Sequence, residues 1–371
     1  MRKPPLPEIF RQARHLLIRG VNWLGDAVMS TPAVMRLREY CAEARITLLC
    51  HEKLGELWQA HPAVDEVLTF SSEESAWKTG RRLARERFDA AVIFPNSPRS
   101  ALQVWLGRVP VRVGMAAPWR RWLLTHAVPP RAGHVRMRKR TPEEIQGLLA
   151  GSLRAEAPPP REAHHLYHYL HIVGAVGART EPLAPQIAVA PDCAERIRAR
   201  LAGVSGPVVA LCPGAEYGPA KRWPRENFIE LAKELQRQWQ AEILLVGGHH
   251  DAQVTGQIAR AVGGRIRDWA GQTSLGELAA VLGACRVVIA NDSGPMHLAA
   301  AVGTPVVALF GSTSPHLTAP GLPGEKRHAI LYQKVPCSPC FLRECPVGYR
   351  CLKNLRVAEV LEAAAAYLRT E

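Results

Sequence analysis

The chain has 371 residues, 47% of them apolar and 22% charged, and carries a formal charge of +14. That length and balance predict a globular protein of two domains, each with its own core, and exclude a low-complexity or short-period repeat chain. No apolar run reaches the roughly 18 residues needed to span a bilayer and the opening segment lacks a signal peptide's apolar core, so a cytosolic protein with anionic partners is expected.

After a Pro-rich tail, residues 15–19 read as a first strand. A glycine-bracketed turn, Gly20 to Asp26, leads into a helix from about Ala27 to Tyr40. Asp26 therefore lies at a strand-to-helix turn, where α/β folds carry chemistry, although taken alone it reads as an N-cap. Further strands at 46–50, 67–70, 90–95 and 111–115 alternate with helical stretches, which predicts a parallel sheet covered by helices. From Arg99 to Arg140 there are ten Lys or Arg and no Asp or Glu, interleaved with Trp105, Trp119 and Trp122. No nucleic-acid motif accompanies them, so a surface for an anionic lipid or glycan is expected, with a merely solvated basic face as the bland alternative. Helices are predicted at 143–153 and 163–176, either side of a proline run at 158–160. A second Pro-containing stretch, 181–191, places the boundary between a first domain, 1–181, and a second, 182–371.

The second half repeats the alternation. A strand at 207–212 runs into a Gly/Pro-rich turn ending in Lys221, Arg222, Trp223 and Pro224, and a helix follows over 227–238. The strand at 242–246 ends in Gly247-Gly248-His249-His250-Asp251. A strand near Ile266 and a helix over 275–282 precede the densest stretch, Asn291 to Gly311. There the strand 287–289 meets the polar turn Asn291-Asp292-Ser293-Gly294, Pro295 opens a short helix that Asp292 or Ser293 can cap, and a second strand returns over 304–310. Two α/β domains in series imply a cleft, and ligands in such sheets sit at the strands' carboxyl ends. Lys221 and Arg222 suit phosphate charge, Asp251 suits ribose hydroxyls, and a helix N-terminus at Ser293-Gly294 suits an anion. No Walker A or GxGxxG pattern is present. What remains is a nucleotide diphosphate on the second domain faced by Asp26 on the first, a layout for group transfer in which Asp26 takes a proton from an acceptor hydroxyl.

The stretches GVNWLGDAVMSTPAVMRLR, CPGAEYGPAKRWP and NDSGPMHLAAAVGTPVVALFG resemble the bacterial ADP-heptose:lipopolysaccharide heptosyltransferases of glycosyltransferase family 9, and the middle one points to type II. The resemblance implies an α/β GT-B fold, two Rossmann-like domains with parallel sheets facing a central cleft, and a last helix (357–368) packing back on the first domain. It implies inverting transfer of heptose from ADP-heptose to the lipopolysaccharide inner core, most closely as the second heptose, at the cytosolic face of the inner membrane. It also implies roles: Asp26 as base, Lys221 on the diphosphate, and Arg222, Asp251, Asn291, Asp292, Ser293, Gly294 and His297 as donor contacts. Asn22, Trp23, Arg99, Arg120 and Arg121 become candidates for the acceptor. No cofactor or catalytic metal is required of the family, in keeping with the lack of an Asp-x-Asp motif. Alternatives are an epimerase of the same shape, a related transferase with another acceptor, and a non-catalytic nucleotide-sugar binder.

Five cysteines, at 41, 50, 193, 212 and 285, read as reduced core thiols. Cys337, Cys340, Cys345 and Cys351 cluster within 15 residues. A structural zinc site is one reading of them and packing thiols the other.

Overall fold

Short apolar runs that end in Gly, Asn, Asp or Ser become strands because only their central residues are free of turn chemistry. In a computed structural model that describes residues 4–369, the strands are β1 (His15–Arg19), β2 (Arg45–His51), β3 (Glu66–Phe70), β4 (Ala90–Ile93), β5 (Val111–Met115), β6 (His126–Val128), β7 (Val208–Cys212), β8 (Glu242–Leu245), β9 (Ile266–Asp268), β10 (Val287–Asn291), β11 (Val306–Phe310) and β12 (Ala329–Tyr332). They build two six-stranded sheets, ordered β3-β2-β1-β4-β5-β6 and β12-β11-β10-β7-β8-β9, parallel throughout. Each is the doubly wound order of a dinucleotide-binding fold, with one switch point where the strand order reverses: β1/β4 in the first sheet, β7/β10 in the second. The strands flanking these points are apolar on both faces and buried, as helix-covered parallel strands must be.

The chain divides into two compact units, residues up to His134 with His165–Ala188, and Val135–His164 with Val189 onward. This differs from a single boundary at 181. The helix Pro142–Leu149, fixed by a Thr141/Glu144 capping box, belongs to the second unit because Ile145 packs against Cys337 and Cys340. The helix Leu166–Gly174 then packs within the first unit on the helix Leu24–Tyr40. The last helix, Val357–Leu368, gives Val357, Val360 and Ala364 to a second-unit core with Trp223, Phe228 and Leu235. Three apolar side chains on one face settle its place, since burial contributes roughly 25 cal/mol per Å² of apolar surface. Among the described residues no helix is long and apolar enough to cross a membrane.

Candidate active site

In the second unit the turns after β7, β8, β10 and β11 all emerge at the carboxyl edge of the sheet, and side chains tie them together. Asn291, the last residue of β10, is fully buried. Its amide donates to the Pro213 carbonyl at 2.8 Å and its oxygen accepts from the Trp223 N–H at 3.0 Å. The turn carrying Lys221 is therefore clamped to the switch point at both ends. Lys221 Nζ lies 2.6 Å from Asp292 Oδ2, with side chains 16% and 4% exposed, and Thr313 donates its hydroxyl to the same carboxylate oxygen. Arg222 donates twice to the Ala215 carbonyl, bracing the same turn. Asp251 accepts from the Gly248 N–H at 3.0 Å, and its carboxylate covers Gly214 so closely that a Cβ there would stand 2.2 Å from it. The glycine is thus required by the close approach of the turns after β7 and β8.

The helix Gly294–Ala301 begins at Ser293, whose side chain makes no capping bond. Capping by Asp292 or Ser293, one reading of the sequence, gives way here: Asp292 is committed to Lys221 and Thr313, and Ser293 Oγ is buried with no hydrogen-bond partner. The hydroxyl of Ser312, just past β11, is likewise buried and unpartnered. A buried orphan hydroxyl costs about 1–3 kcal/mol, and these two lie on the turns after β10 and β11, at the same carboxyl edge as the N-terminus of the helix Gly294–Ala301. His297 is buried one turn into that helix. Ser312 and Thr313 went unnoticed in the sequence, although Gly311-Ser-Thr-Ser314 is a polar turn closing an apolar strand, the signal that marked the other turns.

In the first unit Asp26 stands inside the first turn of the helix Leu24–Tyr40, which starts three residues earlier than the sequence suggests, so it is not the N-cap. Its partners come from far along the chain. Buried Tyr169 hydrogen-bonds Asp26, and burial, with the charge of Asp26 second, pushes the Tyr169 hydroxyl well above its ordinary value. His165 Nε2 lies 3.9 Å from Asp26 Oδ1. Burial lowers the His165 pKa against the opposing pull of Asp26, and the stacked His168 is pushed down to about 3, chiefly by burial. Asp26 thus sits beside a phenol and an imidazole that burial keeps in their neutral forms. Sequence reasoning missed these three residues, whose one local signal is the polar-aromatic run His164 to Tyr169.

The expected acceptor residues separate. Trp23 is half exposed and Arg99 and Arg121 are exposed. Asn22 accepts from the guanidinium of buried Arg19 at 3.2–3.3 Å. Arg120 is corrected: it is fully buried, donates to the Pro95 carbonyl and packs beneath Gly114, so it shapes the carboxyl end of the first sheet instead of presenting a charge at its surface.

The cysteine cluster does not fit a metal site. Cys337, Cys340 and Cys351 are buried thiols, and burial raises each pKa, that of Cys351 to about 12. Among the described residues no three His, Cys, Asp or Glu are placed to hold an ion. The segment works through its backbone: Ser312 O accepts from the Cys340 and Phe341 amides, and the Ala220 N–H donates to Arg343 O. It buttresses the turns carrying Ser312 and Lys221. The five scattered cysteines are buried and form no disulfide.

The profile of glycosyltransferase family 9 (heptosyltransferase) matches residues 76–350. The lipooligosaccharide heptosyltransferase 2 of Haemophilus influenzae is 31% identical over 318 residues, 82% of this chain and 86% of that protein. The lipopolysaccharide heptosyltransferase 2 of Escherichia coli is 30% identical over 82% and 85%. The solved structure of E. coli ADP-heptose lipopolysaccharide heptosyltransferase II superposes with a TM-score of 0.75 at 27% identity, covering 96% of this chain and 98% of that one. With two doubly wound sheets, a polar site at each switch point and a family match over most of its length, the chain belongs to glycosyltransferase family 9, the heptosyltransferases, and has their GT-B fold.

Proposed function

We propose that this heptosyltransferase moves heptose from ADP-heptose to the inner core of lipopolysaccharide, adding the second heptose, with inversion at the anomeric carbon. The observation that carries the donor half is the β7/β10 switch point, where Lys221, paired with Asp292, stands with the unpartnered hydroxyls of Ser293 and Ser312 around a helix N-terminus. The diphosphate binds there, Asp251 accepts from a ribose hydroxyl, and Gly294 lets the phosphates approach the backbone. Arg222 and Asn291 act by holding the Lys221 turn, and His297 lies beside the sugar or diphosphate. Asp26 takes the proton of the acceptor hydroxyl as its oxygen bonds to the anomeric carbon. The bond from that carbon to the diphosphate breaks, and ADP leaves with the electron pair. Lys221 and the helix N-terminus stabilise the charge that develops. No cofactor is needed for these steps.

The acceptor is an anionic glycolipid. Trp23, Arg99 and Arg121 are the exposed first-unit residues suited to it, and Asn22 is held in place by Arg19. The enzyme works at the cytosolic face of the inner membrane, in peripheral contact with it. The test is transfer from ADP-heptose to defined core acceptors carrying one heptose or none, with a donor-only control. Rapid product with the one-heptose acceptor and only slow hydrolysis without acceptor are expected. Rapid conversion of donor alone points to an epimerase, and preference for the heptose-free core removes the second-heptose assignment.

A further inference from the structure

Of the seven large hydrophobic side chains exposed among the described residues, five are tryptophans, all in the first unit. Four lie on elements other than the β1 turn: Trp77 (57% exposed), Trp105 (44%), Trp119 (84%) and Trp122 (68%). Trp77 and Trp105 line a groove of about 620 Å³, formed by the helices Ala76–Glu86 and Pro98–Leu106 and the residues leading into β5. Its apolar floor includes Ala84, Leu106 and Val109, and its cations are Arg81, Arg108 and Arg112. Trp122 meets Trp105 edge to face at 6.4 Å, which extends the row, and Trp119 precedes it in the same connection. The groove runs along the helix Ala76–Glu86, from Trp77 just after the carboxyl end of β3 to the residues that lead into the amino end of β5, whereas Asp26 follows the carboxyl end of β1.

Four exposed indoles are costly to leave in water, and contiguous exposed apolar surface of this kind marks an interaction site. The pairing with cations narrows the partner. Arg81 stacks on Trp77 at 4.7 Å, and Arg85, four residues further along the same helix, is also exposed. Nearby acids are few: Glu74 is taken up by Arg82, leaving Glu73 before the helix and Glu86 at its end. Tryptophan settles at the headgroup level of a bilayer, its ring in the apolar boundary and its N–H in water, while arginines draw it to anionic lipid.

We infer that the Trp77–Trp105–Trp122 face with Arg81 and Arg85 is a docking surface for an anionic bilayer. The inference deepens the reading of a lipid-anchored acceptor: two weak attractions, indole insertion and charge, hold the enzyme reversibly where its acceptor is embedded. Flat interfacial contact also suits a row of indoles above an apolar floor better than base stacking does, since no recognisable nucleic-acid motif accompanies it.

The experiment is co-sedimentation of the full chain with vesicles of phosphatidylethanolamine and phosphatidylglycerol (3:1), against pure phosphatidylcholine. Binding to the anionic vesicles is expected, falling with salt. Arg81→Glu with Arg85→Glu should weaken it by about thirtyfold or more, and Trp77→Ala with Trp122→Ala by more than about tenfold. Transfer to a delipidated, soluble acceptor should be unchanged in both variants, which also shows that they fold. A control with the same change of charge in the second unit, Arg198→Glu with Lys233→Glu, should bind like the wild type. Wild-type protein that ignores anionic vesicles, variants that bind them equally well, or a control that loses as much binding overturns the proposal. So does equally tight, variant-sensitive binding of a single-stranded oligonucleotide. Failure of the wild type to use the soluble acceptor, with vesicle binding intact, counts against the transferase reading and leaves the docking surface standing.

Discussion

At the β1/β4 switch point a carboxylate is held by neutral partners, Tyr169 and His165 beside Asp26, whereas at β7/β10 a carboxylate is held by a cation, Lys221 on Asp292. The backbone scaffold is the same strand order in both units, so the difference comes from the residues set on the turns. Beside Asp26 the first unit sets a phenol and an imidazole. A carboxylate paired with a lysine instead fixes that lysine where an anion arrives. One fold thus supports two different polar settings by changing which residues its turns carry, and under the proposed function these serve as a proton acceptor and an anion site.

The comparison breaks most visibly if the two carboxylates are exchanged in effect. Asp26→Ala should lower kcat by about 10²–10⁴-fold while leaving ADP affinity unchanged, read by turnover and by calorimetric titration with ADP. Loss of ADP binding would show that Asp26 belongs to the donor site. Lys221→Met acts on the opposite side of the contrast. It should cost about 3–4 kcal/mol of transition-state stabilisation, and it leaves Asp292, 4% exposed, without its cation, so thermal stability falls as well. Lys221→Met with Asp292→Asn should recover most of the stability and none of the activity, because only the first loss comes from an unpaired buried charge. Recovery of both would make the pair purely structural.

Tyr169→Phe sharpens the contrast. The hydroxyl bonds the ionised carboxylate, and a hydrogen bond to a charged group is worth about 1.5–3 kcal/mol. The variant should therefore lose roughly ten- to a hundredfold in kcat. The acid limb of its pH–rate profile should move upward, since the charged form of the base has lost a donor. A fall in rate with an unmoved limb would assign Tyr169 to packing alone.

Much of this was legible in the sequence for a physical reason. Central parallel strands are buried on both faces and announce themselves as apolar runs, so the turns at their ends, with Asp26, Lys221, Asp251 and Asp292, can be located from the order of residues alone. Short, half-buried edge strands such as β6 and β12 carry no such signal. Nor does the passage of residues 135–164 into the second unit, which depends on Ile145 finding Cys337 and Cys340. Arg120 and Asn291 read as ligand contacts because polar residues on loops usually face water. Their burial is set by Pro95 in one case and by Pro213 and Trp223 in the other. The neighbours of Asp26 were hidden for the same reason, since the helix Leu166–Gly174 meets Asp26 only in the folded chain.

Buried imidazoles have a cost in acid. Burial is the main cause holding His51, His61, His165 and His168 of the first unit and His328 of the second below the ordinary histidine value, His61 at about 4 and His168 at about 3. The unfolded chain takes up these protons as pH falls through about 6.5, while the folded first unit stays neutral at His61 and His168 until far lower. Their contribution to stability is thus complete above that pH and is lost progressively toward pH 4 and 3. Each of the two contributes a slope of about 1.4 kcal/mol per pH unit in that window. Urea unfolding at pH 7.5 and pH 5, followed by hydrogen exchange of each unit, should find the first unit less stable at pH 5. His61→Gln with His168→Gln should flatten the first unit's dependence even if the variant is less stable at pH 7.5, because glutamine has no proton to gain. An unchanged slope would mean that these two imidazoles titrate in the folded chain as they do in the unfolded one.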